Sequence, residues 1–257
     1  MGEPAVEPIP GAPAATLDLG DERALAVADY HAGIEVGLRY ERGVELDSNA
    51  DERRRRLLSL LDRTAADRVV VLGDLVHRIA EPDGVEAEEV RDLLDALDSR
   101  GVTLTLATGN HDGGVADVFP DRIDLLPADG GRIETVGLAH GHTWPGAEAL
   151  SASTLCIGHE HPSVRLTDEV GGSRVERAWL RGPLRREPFL EALGDDAGEV
   201  AWNDPELVVF PAFNDRSGGT WINVEGESFL SPFLPEALAD GEAYLTDGTR
   251  LGPYRSV

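Results

Sequence analysis

Apolar residues fall in short runs closed by polar ones, and the spacing inside each run predicts what it forms. Ala24-Leu25-Ala26-Val27-Ala28 is unbroken, too short for a helix, and stops at Asp29 and His31, as expected of a buried strand that delivers polar side chains at its end. Residues 68–72 and 102–107 read the same way, with a shorter strand ahead of them at 16–19. Between these runs the period changes. From Ser48, with Asp51 and Glu52 in the first turn, Leu57, Leu58, Leu60 and Leu61 mark the inner face of one helix. Val90, Leu93, Leu94 and Leu97, at i, i+3, i+4 and i+7, mark a second. Strands alternating with helices predict a parallel α/β core. After Gly109 the segments shorten, at 132–139, 154–157, 173–180, 207–210 and 220–224, which predicts a second, more antiparallel sheet. Residues 1–15, rich in Pro, Ala and Glu, read as a loose arm ahead of one domain over 16–257, and there is no internal repeat.

Composition adds the solvent. Forty-eight acidic residues oppose 23 basic ones, a formal net charge of −25, and every basic residue is arginine. A surface this acidic keeps a protein hydrated at very high salt, which predicts a halophile. Repulsion of nucleic acid does not follow, because at molar salt the screening length falls to roughly 3 Å. The start of the chain lacks a basic segment followed by an apolar one, and no run is long enough to span a bilayer, so a cytoplasmic protein is expected. Cys156 is the single cysteine and ends an apolar run, so it is expected in the core, excluding a disulfide framework or a cysteine-rich zinc site.

The chemistry lies where the strands stop. All seven histidines fall between His31 and His161, six of them in Asp29-Tyr30-His31, Gly109-Asn110-His111-Asp112, His140-Gly141-His142 and Gly158-His159-Glu160-His161; the seventh, His77, follows Gly73-Asp74. Loops at the carboxyl edge of a sheet build sites in this way. Asp29 and His31 are two apart, as are His159 and His161, a spacing that puts both side chains on one side of an extended backbone. Each pair can grip one ion or two adjacent ions.

Together these residues resemble the calcineurin-like metallophosphoesterases, whose pattern runs D-x-H, G-D-x-x-[DH], G-N-H-[DE], H-G or G-H, and G-H-x-H. All five elements occur in order over 29–161, about half of the chain. The text around Asp29 and around Gly73-Asp74-Leu75-Val76-His77 is most similar to the SbcD-related branch, which includes nuclease subunits of double-strand-break repair complexes. Phe210-Pro211-Ala212-Phe213-Asn214 with Gly218-Gly219 resembles small archaeal relatives and the ligase-associated phosphoesterases, more weakly.

The resemblance implies a four-layer α-β-β-α sandwich of two mixed sheets. It implies Asp29, His31 and His161 as ligands of one metal ion, Asn110, His140 and His159 as ligands of a second, and Asp74 bridging both. Of the two histidines in His140-Gly141-His142 the family uses the first, leaving His142 beside it as a substrate-side group. Ligands without thiolate suit Mn²⁺, Fe or Zn²⁺, and the family favours Mn²⁺. His111 is the implied acid for the leaving oxygen. His77 stands where phosphatases often have an aspartate to orient that histidine and matches the nuclease branch, with Asp112 as another orienting group. The implied activity is hydrolysis of a phosphodiester, nucleic acid first and a small phosphodiester or phosphomonoester as the alternative.

Two arginine groups complete the reading. Arg53 to Arg56 are expected on a solvated helix face with Asp51 and Glu52. Arg174, Arg177, Arg181, Arg185 and Arg186 form the most basic stretch of the chain, from which Arg181 and Arg185 are candidates for gripping phosphate, a task suited to the bidentate guanidinium. Asp112 and Glu160 read equally as supports of the site or as surface groups.

Overall fold

Period-2 alternation sorts each strand of the first half between two faces. In β3 (Glu22–Val27) Leu25 and Val27 point one way and Ala24 and Ala26 the other; in β4 (Arg68–Val71) Val69 and Val71 oppose Val70. The computed structural model, which describes residues 5–168 and 170–257, gives each face a different partner. The branched side chains meet α2 (Ala50–Thr64) and α3 (Gly84–Asp98) through Leu57, Leu60, Leu61, Val90, Leu93, Leu94 and Leu97. The alanines meet a second sheet.

The first sheet is ordered β1 (Val6–Pro8), β2 (Ala15–Leu19), β3, β4, β5 (Thr103–Ala107), β6 (Asp124–Leu126), with β3 to β6 parallel. The second runs β14 (Arg250–Pro253), β13 (Glu242–Leu245), β11 (Ser173–Pro183), β12 (Glu206–Val209), β9 (Thr154–Ile157), β8 (Val136–Ala139), β7 (Gly131–Ile133), and β10 (Ser163–Thr167) pairs with β11. Its centre, β8, β9 and β12, is parallel, and its margins are antiparallel. Between the sheets lie Ala26, Val70, Leu72, Cys156, Trp179, Val208 and Phe210, so Cys156 is a core residue as expected. The outer face of the second sheet is covered by α4 (Ala147–Leu150), α5 (Arg186–Leu193, through Phe189) and the segment carrying Phe233, Leu234 and Leu238. The architecture is the expected α-β-β-α sandwich.

Register places the site. Val27 lies beside Val71, and Val71 beside Leu106; Ala139 lies beside Ile157, and Ile157 beside Val209. Six parallel strands therefore end level on one edge, and an isolated bridge from Ala28 to Ala212 joins the two sheets there.

Several expectations are corrected. Composition predicts a loose arm at 1–15; residues 1–4 lie outside the described residues, but Val6–Pro8 pairs with β2, and Ile9, Ala12, Ala14 and Ala15 are buried. Pro and Ala there cover the margin of the first sheet. Residues 132–139 are two strands folded at Glu134, which takes φ 51°, and 220–224 form turns with one bridge, Ser163 to Trp221. Helix α1 (Ile34–Arg42) does not announce itself, because its apolar residues Ile34, Val36, Leu38 and Tyr40 fall at every second position, not at helical spacing. Arg53 is 2% exposed instead of solvated: it is hydrogen-bonded to Glu35 and Glu89 and lies over the Tyr30 ring, while Arg54 and Arg55 do pair with Asp51 and Glu52.

Candidate metal centre and active-site cleft

Three of the loops that follow the six strands, those after β3, β4 and β9, turn left-handed at their site residues. Asp29 (φ 55°), His31 (φ 50°), Asp74 (φ 51°), His159 (φ 66°) and His161 (φ 45°) all occupy the region that L side chains avoid. The extended backbone expected for the two D-x-H-like pairs is therefore absent. Left-handed residues of this kind cost about 1–3 kcal/mol each and persist where the surroundings over-determine them. Here the surroundings do. The His31 N–H donates to the Asp74 carbonyl (2.8 Å) and the Asp29 N–H to that of Gly73 (3.2 Å), while Asn214, fully buried, donates through Nδ2 to the carbonyls of Tyr30 (2.9 Å) and His31 (3.3 Å). Gly73 is required at φ 76°, and a Cβ there would overlap the His140 ring.

Two groups of donor atoms result. Asp29, His31 and His161 offer atoms that all lie within 4.8 Å of one another, with His161 Nε2 3.0 Å from Asp29 Oδ1. In the second group Asp74 Oδ1 (3.4 Å), Asn110 Oδ1 (3.2 Å) and His159 Nδ1 (3.1 Å) surround His140 Nε2. Asp74 stands between the groups: its Oδ2 lies 3.9 Å from His31 Nε2 and its Oδ1 faces His140. His159 and His161, two apart in sequence, thus divide between the groups.

Backbone carbonyls select the tautomers. A carbonyl only accepts, so the ring nitrogen beside it carries the proton: Nδ1 of His140 donates to Leu72 O (2.9 Å), Nδ1 of His161 to Gly218 O (2.8 Å), Nδ1 of His31 to Val76 O (3.4 Å), and Nδ1 of His111 to His77 O. This turns each Nε2 toward the carboxylates, the arrangement that second partners impose on metal-binding imidazoles. Lone pairs converging at 3.0 to 3.9 Å need a positive charge among them. Burial opposes a charge on His140, but Asp74 and then Asp29 outweigh it and raise the imidazole to about 9. His161 is also raised, against burial, by Asp29. Burial prevails at His31, pushed down to about 3, and at His159, pushed down to about 4, so both keep lone pairs for a cation. Asp29 and Asp74 stay ionised despite burial, held down chiefly by His161 and His140 respectively. The donor set fits a pair of divalent ions and does so without thiolate.

A cavity of about 260 Å³ opens onto these residues. Its floor is His31, Asp74, Asn110, His111, His159 and His161; α1 supplies one wall through Ile34, Leu38 and Arg42, and Arg216, Ser217, Gly218 and Leu230 supply the other. His111 and His77 stack with ring centroids 5.8 Å apart, and the His77 ring lies against Gly37, where a Cβ would collide with it. His142 is half-buried, its ring 5.3 Å from that of His140 and 6.1 Å from that of His159, behind the second donor group.

Other expected roles are not met. Asp112 does not orient His111; its carboxylate accepts the N–H groups of Asp74 (2.8 Å), Gly109 (2.8 Å) and Val76 (3.3 Å) and fixes two site loops. Burial, then the charge of Asp74, pushes it up to about 6. Glu160, fully buried, does the same for Leu230 (3.1 Å) and Ser231 (2.5 Å). Arg181 pairs with Glu206 (2.8 Å) and Arg185 reaches the carbonyls of Glu236 and Ala239; neither lines the cleft, because β11 runs antiparallel to β12 and carries both away from the strand ends. The sequence reading passed over Arg42 and Arg216, since α1 was not foreseen and Arg216 sits in a loop beyond the motifs.

Comparison with known proteins agrees with this geometry. The family model for calcineurin-like phosphoesterases matches residues 22–170. A search of curated protein sequences found no significant match. Among solved structures the chain is similar to the nuclease MPE of Pseudomonas putida, at 18% identity over 96% of this chain and 100% of that one, with a TM-score of 0.56. It also aligns with Yfce, a phosphoesterase from E. coli, at 20% identity over 56% of this chain and 73% of that one, with a TM-score of 0.35. The first likeness shows a shared fold, and the second is too low to add to it. No helix among the described residues is long and apolar enough to cross a membrane. Matched over more than half its length by the family model, the chain belongs to the calcineurin-like phosphoesterases, hydrolases of phosphoester bonds that generally bind two divalent metal ions.

Proposed function

We propose that this protein is a two-metal phosphodiesterase that cleaves nucleic acid, that it belongs to the SbcD-related branch, and that it works with Mn²⁺ in the cytoplasm of a halophile. The observation that carries the reading is Asp74, whose two carboxylate oxygens face separate imidazole groups, His31 on one side and His140 on the other. Asp29, His31 and His161 would hold one ion, Asn110, His140 and His159 the other, and Asp74 both. When bound, such a pair polarises the phosphoryl oxygens and makes an attacking water more acidic.

The chain's own residues do the rest. The His77 carbonyl fixes the His111 ring so that Nε2 lies 3.8 Å from Asp74 Oδ2 and faces the cleft, placed to give a proton to the departing oxygen. His77 packs against it and against His31, 5.3 Å between ring centroids, and limits how either can tilt. Ile34 and Leu38 exclude water from one wall, while Arg42 and Arg216 put positive charge at the rim. Positive charge on both walls suits an anionic phosphate ester.

The test is an activity screen at molar KCl with Mn²⁺ across single-stranded DNA, RNA, cyclic nucleotides and monoesters. Mn²⁺-dependent cleavage of DNA or RNA is expected. Turnover confined to monoesters or cyclic nucleotides would overturn the nuclease reading.

A further inference from the structure

A groove of about 430 Å³ runs between the Pro10–Pro13 turn and α2, away from the metal cleft. Arg55, Arg56 and Arg63 line it, with Glu52 its one acid, and a second depression of about 560 Å³ continues it between Arg55, Arg63, Arg100 and Asp62. Four arginines against two acids reverses the balance of a chain in which 48 acids face 23 arginines. The groove is also joined to the active site. Arg56 binds Asp215 through Nη1 (2.8 Å), donates to the Phe213 carbonyl and lies over the Phe213 ring, 4.1 Å from its centroid. Arg177 grips the same Asp215 (2.8 Å), and the next residue, Arg216, lines the cleft.

We infer that this arginine track carries the phosphate backbone of a single nucleic-acid strand leaving the active site, so that α2 is a second substrate-binding surface. The inference rests on the nuclease reading above. Arg55, Ser59 and Arg63 recur every four residues, on one face of α2, about 6 Å apart along the helix axis. One face of one helix can follow one strand. The acids beside the track do not block it. Arg55 pairs with Glu52 at 2.7 Å on the exposed surface, and such an i,i+3 pair contributes little and exchanges readily for a phosphate. Arg63 is exposed and has no acid partner among the described residues. The Arg55 and Arg63 guanidinium groups, eight residues and so about 12 Å apart along the axis, neutralise two phosphates of one strand with Ser59 facing the stretch between them, and affinity then falls with salt by about 0.7 log units per phosphate for each tenfold rise in salt.

The experiment compares kcat/KM for a single-stranded 12-mer and a dinucleotide, in the full-length Mn²⁺-loaded protein and in Arg63→Gln and Arg55→Gln/Arg63→Gln, across a series of KCl concentrations. The expected result is that the 12-mer's advantage over the dinucleotide falls about tenfold in the double variant, and that its salt dependence flattens by about 0.7 for Arg63→Gln alone. Binding of the 12-mer to His111→Ala protein, which keeps both ions, with and without Arg63→Gln, read by fluorescence anisotropy, separates lost grip from lost turnover. An unchanged 12-mer to dinucleotide ratio, or unchanged anisotropy, would overturn the inference while leaving the nuclease reading in place. Turnover of small diesters with no oligonucleotide cleaved would overturn the nuclease reading and this inference with it.

Discussion

The two sheets bring different chemistry to the same cleft. The first supplies every oxygen donor, Asp29, Asp74 and Asn110, with His31; the second supplies only imidazoles, His140, His159 and His161. Their supports are of the same two kinds, since buried Glu160 holds the Leu230–Ser231 loop of the second half and carbonyls orient His31 and His111 of the first. Loops of the first sheet hang on buried carboxylates: Glu89 accepts the Gly33 N–H (2.9 Å), Glu86 those of His77 (2.8 Å) and Arg78 (2.9 Å), and Asp112 those of Asp74 and Gly109. Imidazoles of the second sheet are oriented by carbonyls from elsewhere, Leu72 and Gly218. Neither sheet holds a complete donor set. An ion held by either donor group would therefore be liganded from both sheets, and its binding free energy would add to the stability of the sandwich.

The largest effect expected is at the bridge. Asp74→Asn removes the charge shared by both donor groups, so activity should fall to background and the metal content, read by elemental analysis of purified protein, should drop below two ions per chain. An active variant with two ions would dismantle the assignment. Next comes His111→Ala, which removes the group proposed to act on the leaving oxygen and none of the seven proposed ligands, although its ring lies beside Asp74 and His31. It should keep both ions and lose about 10²–10⁴-fold in kcat. The loss should be smaller for nitrophenyl diesters, whose leaving group departs without a proton; equal losses on both would point to charge stabilisation at phosphorus instead.

Arg53→Ala tests the supports of the first sheet. It leaves Glu35 and Glu89 buried without their cation, and breaking a buried pair in this way costs about 3–5 kcal/mol. Urea unfolding should show it; a change under 1 kcal/mol would mean that solvent reaches these carboxylates. Chelation tests the bridging of the sheets. At a metal concentration 100-fold above Kd each ion contributes about 2.7 kcal/mol, so removal should lower Tm by roughly 5–10 °C per ion at fixed salt. An unshifted Tm would mean that the donor groups are held by the fold alone.

Much of this was legible in the sequence because apolar runs and motif residues are local signals. Strand ends at Asp29, Asp74, Asn110, His140 and His159 could be read without knowing the sheets. What was missed depends on partners far along the chain. Arg53 looks like its neighbours Arg54 and Arg55 until Glu35 and Glu89 arrive from two other helices. The left-handed backbone of Asp29 and His31 is imposed by hydrogen bonds from Asn214, more than 180 residues away, and no spacing rule for a D-x-H pair anticipates it. Arg42 and Arg216 reach the cleft only because α1 and the 214–218 loop frame it. Arg181 and Arg185 were misplaced for the converse reason: their charge is local, and the direction of β11 is not.

The smallest effect separates two adjacent histidines of the second sheet. His140 is fully buried with Nε2 at the centre of the second donor group, whereas His142 lies behind it, half-buried, with its ring against those of His140 and His159. His140→Ala should therefore lose the second ion. His142→Ala should keep both ions, since it removes packing beside ligands and no ligand; groups of that kind change metal affinity by about 10–100-fold. At saturating Mn²⁺ its kcat should stay within about tenfold of the parent, with the defect recovered as metal is added. Loss of an ion from His142→Ala at saturation, with His140→Ala still binding two, would exchange the two roles and move the imidazole side of the centre two residues along the chain.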